Sequence, residues 1–166
     1  VQAWISAIGA GPYRAGELYS STSYGPAKIF FSDVQLHSTA WSGTPDPGPM
    51  LGSQQIADMM TALDVSTHPL KILAIETSVS QYGQSWQERY PTEANAWHAD
   101  LITRPNLNGT SGHFFVVRGD THVRQVISFD YFWEFVAGVL QDSQSVLAYQ
   151  VARNQSASLV FGGKLR

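Results

Sequence analysis

The chain has 166 residues, 43% of them hydrophobic, which is enough for one sizeable core and too short for two ordinary domains. Charged residues make up only 14%, and Lys+Arg 10 against Asp+Glu 13 leaves a net charge of −3, so no basic field exists to gather phosphates and no nucleic-acid partner is expected. The absence of cysteine excludes disulfide frameworks, zinc–thiolate sites, iron–sulfur clusters and thiol nucleophiles. No apolar run approaches the roughly 18 residues that span a bilayer, so no membrane association is expected.

In chain order, Val1, Trp4, Ile5 and Ile8 fall on one stripe of a short opening helix. A second helix is expected after Pro12, through Glu17, Leu18 and Tyr19. Residues 29–37 read as a strand rich in aromatic and branched side chains, and residues 42–49, with three prolines and two glycines, as a stiff loop. Gly52 and Ser53 then open the clearest helix, in which Ile56, Met59, Met60 and Leu63 repeat at i, i+3, i+4 and i+7, with the Ser53 hydroxyl as the expected cap. From Leu70 the pattern reads as strands over 71–82, 93–103, 112–118 and 123–132, joined by hairpin turns at 105–109 and at Gly119-Asp120. A short helix is expected after Trp133. This order predicts an α+β fold, a curved antiparallel sheet with helices segregated to one face around an apolar pocket. One domain over 1–140 is expected, followed by a C-terminal extension over 141–166.

The candidate chemistry lies on two of those strands. Alternation over 94–102 puts His98 and Asp100 on one face, and over 126–132 it puts Ser128 and Asp130 on one side. If both faces line the pocket, two crowded carboxylates among apolar groups cannot both ionise cheaply, and the pair can supply an acid and a base together. The same spacing fits a solvent-facing His-x-Asp pair with Asp130 capping a turn. His37, Trp41, His113, Tyr13, Phe115 and Met60 are candidate substrate-binding residues around such a pocket. His98 and Asp100 followed by a later histidine also have the ligand types of a facial triad, but His113 and His122 follow too soon for the jelly roll that carries one, and no metal is expected.

Phe31-Ser32-Asp33, the Gly52 that opens an amphipathic helix, the segment His98-Ala99-Asp100 and the ending Ile127-Ser128-Phe129-Asp130-Tyr131-Phe132 resemble, in their order, the NTF2-like superfamily, in particular its SnoaL and limonene-epoxide-hydrolase branch. The resemblance covers roughly residues 1–140. It implies a cone-shaped fold and an enzyme without cofactor that uses acid–base chemistry on a hydrophobic natural-product intermediate, as isomerase, cyclase, dehydratase or epoxide-opening enzyme. Carried over by position, Asp100 matches the acid, Asp130 the base, and His98 stands where the branch has a bridging arginine. A histidine lacks that arginine's fork, which speaks against epoxide hydrolysis itself. The alternative is a non-catalytic module of the same fold that carries a ligand or binds a protein.

An apolar convex face of Trp97, Leu101 and Phe129 implies a homodimer. A cytoplasmic location is expected. Secretion is the alternative, carried by the acceptor patterns at Asn108-Gly109-Thr110 and Asn154-Gln155-Ser156 and by an opening residue other than methionine, which fits a removed leader.

Overall fold

The computed structural model describes residues 11–79, 85–108, 113–118, 125–128, 132–136 and 150–152. The strands are β1 (Gly11–Pro12), β2 (Ser20–Tyr24), β3 (Ala27–Phe31), β4 (Leu70–Ile75), β5 (His113–Arg118), β6 (Gln125–Ser128), β7 (Trp133–Val136) and β8 (Gln150–Ala152). They form one sheet in the order β1-β2-β3-β4-β5-β7-β6-β8. Its centre is parallel: β3 pairs with β4, β4 with β5 and β5 with β7 in the same direction, whereas β1–β2, β2–β3 and β6–β7 are antiparallel. Among the described residues three helices, α1 (Ser53–Asp64), α2 (Trp86–Arg89) and α3 (Pro91–Thr103), lie between β3 and β5 in the chain.

This corrects the expected antiparallel meander. A parallel step needs a crossover of a dozen or more residues, and the connections from β3 to β4 and from β4 to β5 both contain helix. α1 carries β3 to β4, and α2 with α3 carries β4 to β5. The expected 105–109 hairpin is instead the exit of α3, where Leu107 N and Asn108 N both donate to the Arg104 carbonyl. The Gly119-Asp120 turn lies outside the described residues, but β5 and β6 are not neighbours, because β7 is inserted between them. β7 itself takes the place of the helix expected after Trp133. Within the expected C-terminal extension, β8 adds a parallel strand to β6.

The largest misreading is α3. Residues 93–103 alternate well enough to look like a strand, yet Ala94, Trp97 and Leu101 recur at helical spacing and are the buried residues of a helix. Its start is marked in the sequence. Ser85 and Glu88 form a reciprocal capping box on α2, and Pro91 occupies the first turn of α3, where its missing N–H costs nothing.

The helix expected after Pro12 is a turn, closed by Tyr13 N donating to the Tyr19 carbonyl at 3.0 Å, with Gly16 at φ 88°. The strand expected over 29–37 stops at Phe31, because Asp33 Oδ1 accepts from Gln35 N and Leu36 N and turns the chain. β4 ends at Ile75 rather than near 82, and β6 covers only Gln125–Ser128 of the expected 123–132. The expected α1 is present with Met59, Met60 and Leu63 fully buried, although Gly52 is its N-cap and no side chain caps it. The opening helix falls in residues 1–10, outside the described residues.

One core forms on the helical side of the sheet. Phe30, Leu73, Ile75, Phe114 and Val116 point inward, and the buried stripes of α1 and α3 close over them. Trp97 sits at its centre, 5.0 Å from the Trp86 ring centroid and 5.7 Å from Phe132. Trp97 and Leu101 are 1% and 0% exposed, so the convex dimer face expected from them does not exist, and Phe129 lies outside the described residues. On the other face the register aligns Ile29, Ile72, Phe115 and Trp133 in one half-buried row. No described helix is long and apolar enough to cross a membrane.

Candidate functional site

In an open sheet with parallel strands, ligands bind beyond the carboxyl ends of those strands, where the connecting loops diverge. Here the loop leaving β3 and the residues leaving β4 line a cavity of about 250 Å³ that is open to solvent on one side. Val34, Ser38, Ala40, Trp41 and Met50 come from the loop between β3 and α1, Glu76 and Thr77 follow the end of β4, and Arg89 and Tyr90 come from the end of α2.

The loop is held by polar groups that have little else to do. Glu93, in the first turn of α3, accepts from the backbone N–H of Met50 at 2.9 Å, Leu51 at 3.1 Å and Gly52 at 2.8 Å, and from the Trp86 indole at 2.9 Å. Four donors on one carboxylate fix the end of the loop to the start of α3. Tyr90 donates its hydroxyl to the Thr39 carbonyl, and Thr39 N donates to the Pro49 carbonyl. Asp46 accepts from Thr92 N and from its hydroxyl, while its own N–H donates to the Arg89 carbonyl. Gly48 is required where the loop doubles back, since a Cβ there would lie 2.3 Å from Thr39 Oγ1. The prolines read as stiffness in the sequence are therefore helped by specific clamps.

The charge at the wall is unusual. Arg89 lays its guanidinium over the Trp41 ring, 5.3 Å from the centroid, and its Nε is buried with no hydrogen-bond partner. Glu76 lines the same cavity and is exposed. Away from it, beside β2, His37 Nε2 lies 2.9 Å from Glu17 Oε2, and Tyr19 donates its hydroxyl to Asp58 Oδ2 at 2.8 Å, where Arg14 also binds. Arg14 holds the Asp58 carboxyl below its ordinary range, and burial, with the hydrogen bond to Asp58, pushes the Tyr19 phenol well above its own.

The expected catalytic set does not assemble. His98 and Asp100 are on α3, not on a strand, and two residues on a helix are about 200° apart, so they share no face. His98 is exposed, and Asp100 accepts from Arg104 Nε at 3.0 Å and Nη2 at 2.9 Å as an i,i+4 pair. Asp130 lies outside the described residues. Of the expected substrate-binding residues, Trp41 lines the cavity and His37 is tied to Glu17 on the loop that forms it. Met60 is core under α1, and Tyr13 packs at the core edge against Tyr19 and Phe30. His113 and Phe115 lie on the opposite face of the sheet, with ring centroids 6.2 Å apart. The residues missed are Glu76, Arg89, Tyr90 and Glu93. The capping box before Pro91 would have placed three of them around one helical junction.

No family model matches the sequence, and no curated protein matches it at a significant level. A solved structure described as "Structure of PhoD" is similar to it with a TM-score of 0.59 and 19% sequence identity, over 74% of this chain and 28% of that one. This chain therefore corresponds to little more than a quarter of that protein's length, and the likeness concerns the fold. Together with the parallel sheet it overturns the resemblance to the NTF2-like superfamily and its SnoaL branch, the cone that came with it, and the place in natural-product biosynthesis that rested on both.

Proposed function

We propose that the chain is an enzyme that binds a small organic molecule in the cavity beyond β3 and β4 and acts on it by acid–base chemistry, with Glu76 as the proton-transferring carboxylate. One observation carries this reading: a carboxylate and a guanidinium line the same cavity, together with aromatic, aliphatic and hydroxyl side chains, at the carboxyl ends of parallel strands. A carboxylate that keeps access to solvent can take a proton from a bound molecule and return it to water. A cation lining the same cavity steadies negative charge that develops on the molecule. The clamped loop supports it too, since a site needs walls that hold their geometry.

The test uses the whole chain and a fragment panel read by saturation-transfer NMR. Fragments that bind in the cavity should be displaced by Thr77→Phe, which fills it. Among compounds that are converted, Glu76→Gln should lower turnover by about 10²–10⁴ with binding retained. Binding untouched by Thr77→Phe would remove the cavity from the account. Binding lost with Thr77→Phe but no conversion of any fragment would leave a ligand carrier.

A further inference from the structure

We infer that the cavity selects a monoanionic organic acid, a carboxylate on a flat apolar body, and that Arg89 is the residue that binds the carboxylate; this rests on the reading of the cavity as the ligand site. Four arginines lie among the described residues, and three have carboxylate partners. Arg14 is paired with Asp58, Arg104 with Asp100 at 2.9 Å and Asp64 at 3.4 Å, and Arg118 with Glu134 at 2.6 Å. Arg89 has none. Its guanidinium lies over the Trp41 ring, on the wall of the cavity.

Arg89 lines the cavity and no described carboxylate neutralises it, so its charge is open to an anion that enters there. A ring face holds the guanidinium plane without using any of its N–H groups. The donor edge stays available, and its planar fork fits the two oxygens of a carboxylate. The body of the ligand is set by the remaining wall. Trp41 and Val34 offer flat and apolar surface beside the hydroxyls of Ser38 and Thr77, and about 250 Å³ is below the roughly 300–1,000 Å³ of sites for drug-sized molecules, so the part of the ligand seated there is about the size of one substituted ring.

The charge of the ligand follows from Glu76. A second anionic group already faces the cavity, so each additional negative charge on the ligand meets repulsion there. One charge is balanced by Arg89. A phosphate dianion leaves one unbalanced, and a neutral amide leaves the Arg89 charge without a counterion.

The experiment compares three probes of similar shape, benzoate, benzamide and phenyl phosphate, by NMR titration of the full chain at pH 7. Benzoate is expected to bind with a Kd of about 1 mM, at least about tenfold tighter than either other probe. Arg89→Gln, checked for an unchanged circular-dichroism melt, should weaken benzoate at least about tenfold and leave benzamide unaffected, and Arg89→Lys should recover only part of the loss because it keeps the charge without the fork. Equal binding of benzoate and benzamide, displaced by Thr77→Phe and indifferent to Arg89→Gln, would overturn the anchor while leaving the cavity reading in place. Phenyl phosphate binding tighter than benzoate would overturn the monoanion preference. Failure of all three probes to bind up to about 10 mM would overturn both readings.

Discussion

Arg118 and Arg89 are both cations near the carboxyl ends of parallel strands, and the molecule treats them in opposite ways. Arg118 ends β5 on the inward face, fully buried, with its Nε 2.6 Å from a Glu134 carboxylate that is itself fully buried on the neighbouring strand β7. Val79 N also donates to Glu134, which ties the residues following β4 to the same pair. Arg89 is held by an indole face and left without a carboxylate. In the first arrangement the charge is met by a carboxylate and sealed inside the fold, so it is unavailable to a ligand. In the second no described carboxylate meets the charge, which lies on the wall of an open cavity, and that difference separates an arginine that joins strands from one placed to meet a ligand.

Breaking the self-contained pair should have the largest effect. Glu134→Leu leaves Arg118 as a buried charge without its carboxylate and should cost about 3–5 kcal/mol in urea unfolding. Arg118→Met combined with Glu134→Leu should recover most of that loss, because two apolar side chains need no desolvation. A double variant as unstable as the single one would show that the pair contributes more than its own neutralisation. Burial pushes the Glu134 carboxyl above its ordinary range, opposed by Arg118. A raised folded pKa makes this group's contribution largest below the ordinary carboxylate pKa, declining as pH rises through the folded value. Stability over that rise should therefore fall less in the double variant.

A smaller loss is expected where the arginine is paired but half-exposed. Arg14 reaches Asp58 from a side chain that is 50% exposed, while Tyr19 meets the same carboxylate from inside the core. Asp58→Asn should cost about 1–2 kcal/mol, most of it from the buried phenol, since solvent screens the arginine. The folded Asp58 pKa is lowered, so this contribution is present above the ordinary carboxylate pKa and is lost as pH falls through the folded value. The wild-type and Asp58→Asn unfolding curves should converge in acid and separate above about pH 5.

Some of this was legible in the sequence and some was not. α1 was readable because Met59, Met60 and Leu63 are large, apolar and periodic, and nothing in the segment imitates a strand. α3 was misread because its helical stripe consists of Ala94, Trp97 and Leu101, and the intervening small and polar residues also satisfy a period of two. Tertiary burial of Trp97 against Trp86 and Phe132 decides between the two patterns, and that pairing joins residues far apart in the chain. Once the strand reading failed, His98 and Asp100 could no longer share a face. Trp41 was readable as a pocket residue, but Arg89 was not, because its role depends on a partner being absent, and a sequence does not display absences of contact.

Lys71 sharpens the comparison as a buried cation answered by neither a carboxylate bond nor a ring. It is 4% exposed on the inward face of β4, and its ammonium donates to the His68 carbonyl, with Asp64 near enough to favour its charge. Burial lowers its pKa all the same. A lowered folded pKa means the unfolded chain binds the proton better. The penalty is present in full below the folded pKa and is relieved as pH rises toward the ordinary lysine value of about 10.4. Lys71→Met should thus gain about 1 kcal/mol at pH 7 from the lost penalty, less the bond to His68, and the gain should shrink toward pH 10. A variant less stable than wild type at pH 7 would mean that the hydrogen bond outweighs the desolvation.

The smallest stability effect is expected at Arg89. Arg89→Gln removes a stacking contact on a Trp41 that is 37% exposed, and such contacts are worth about 0.5–1 kcal/mol near a surface. It also removes a buried N–H without an acceptor, which costs the folded chain a comparable amount. The two nearly cancel, so the unfolding midpoint should move by no more than about 0.5 kcal/mol in free energy. An arginine kept for stability would behave like Arg118, with a loss several times larger on removal. An arginine kept for a ligand should instead become stabilising only when the ligand is present: at benzoate concentrations about ten times its Kd, wild type should gain about 1.4 kcal/mol by mass action and Arg89→Gln much less. Equal gains in both proteins would place the benzoate somewhere other than on this guanidinium, and a large loss without any ligand would move Arg89 to the structural side of the comparison.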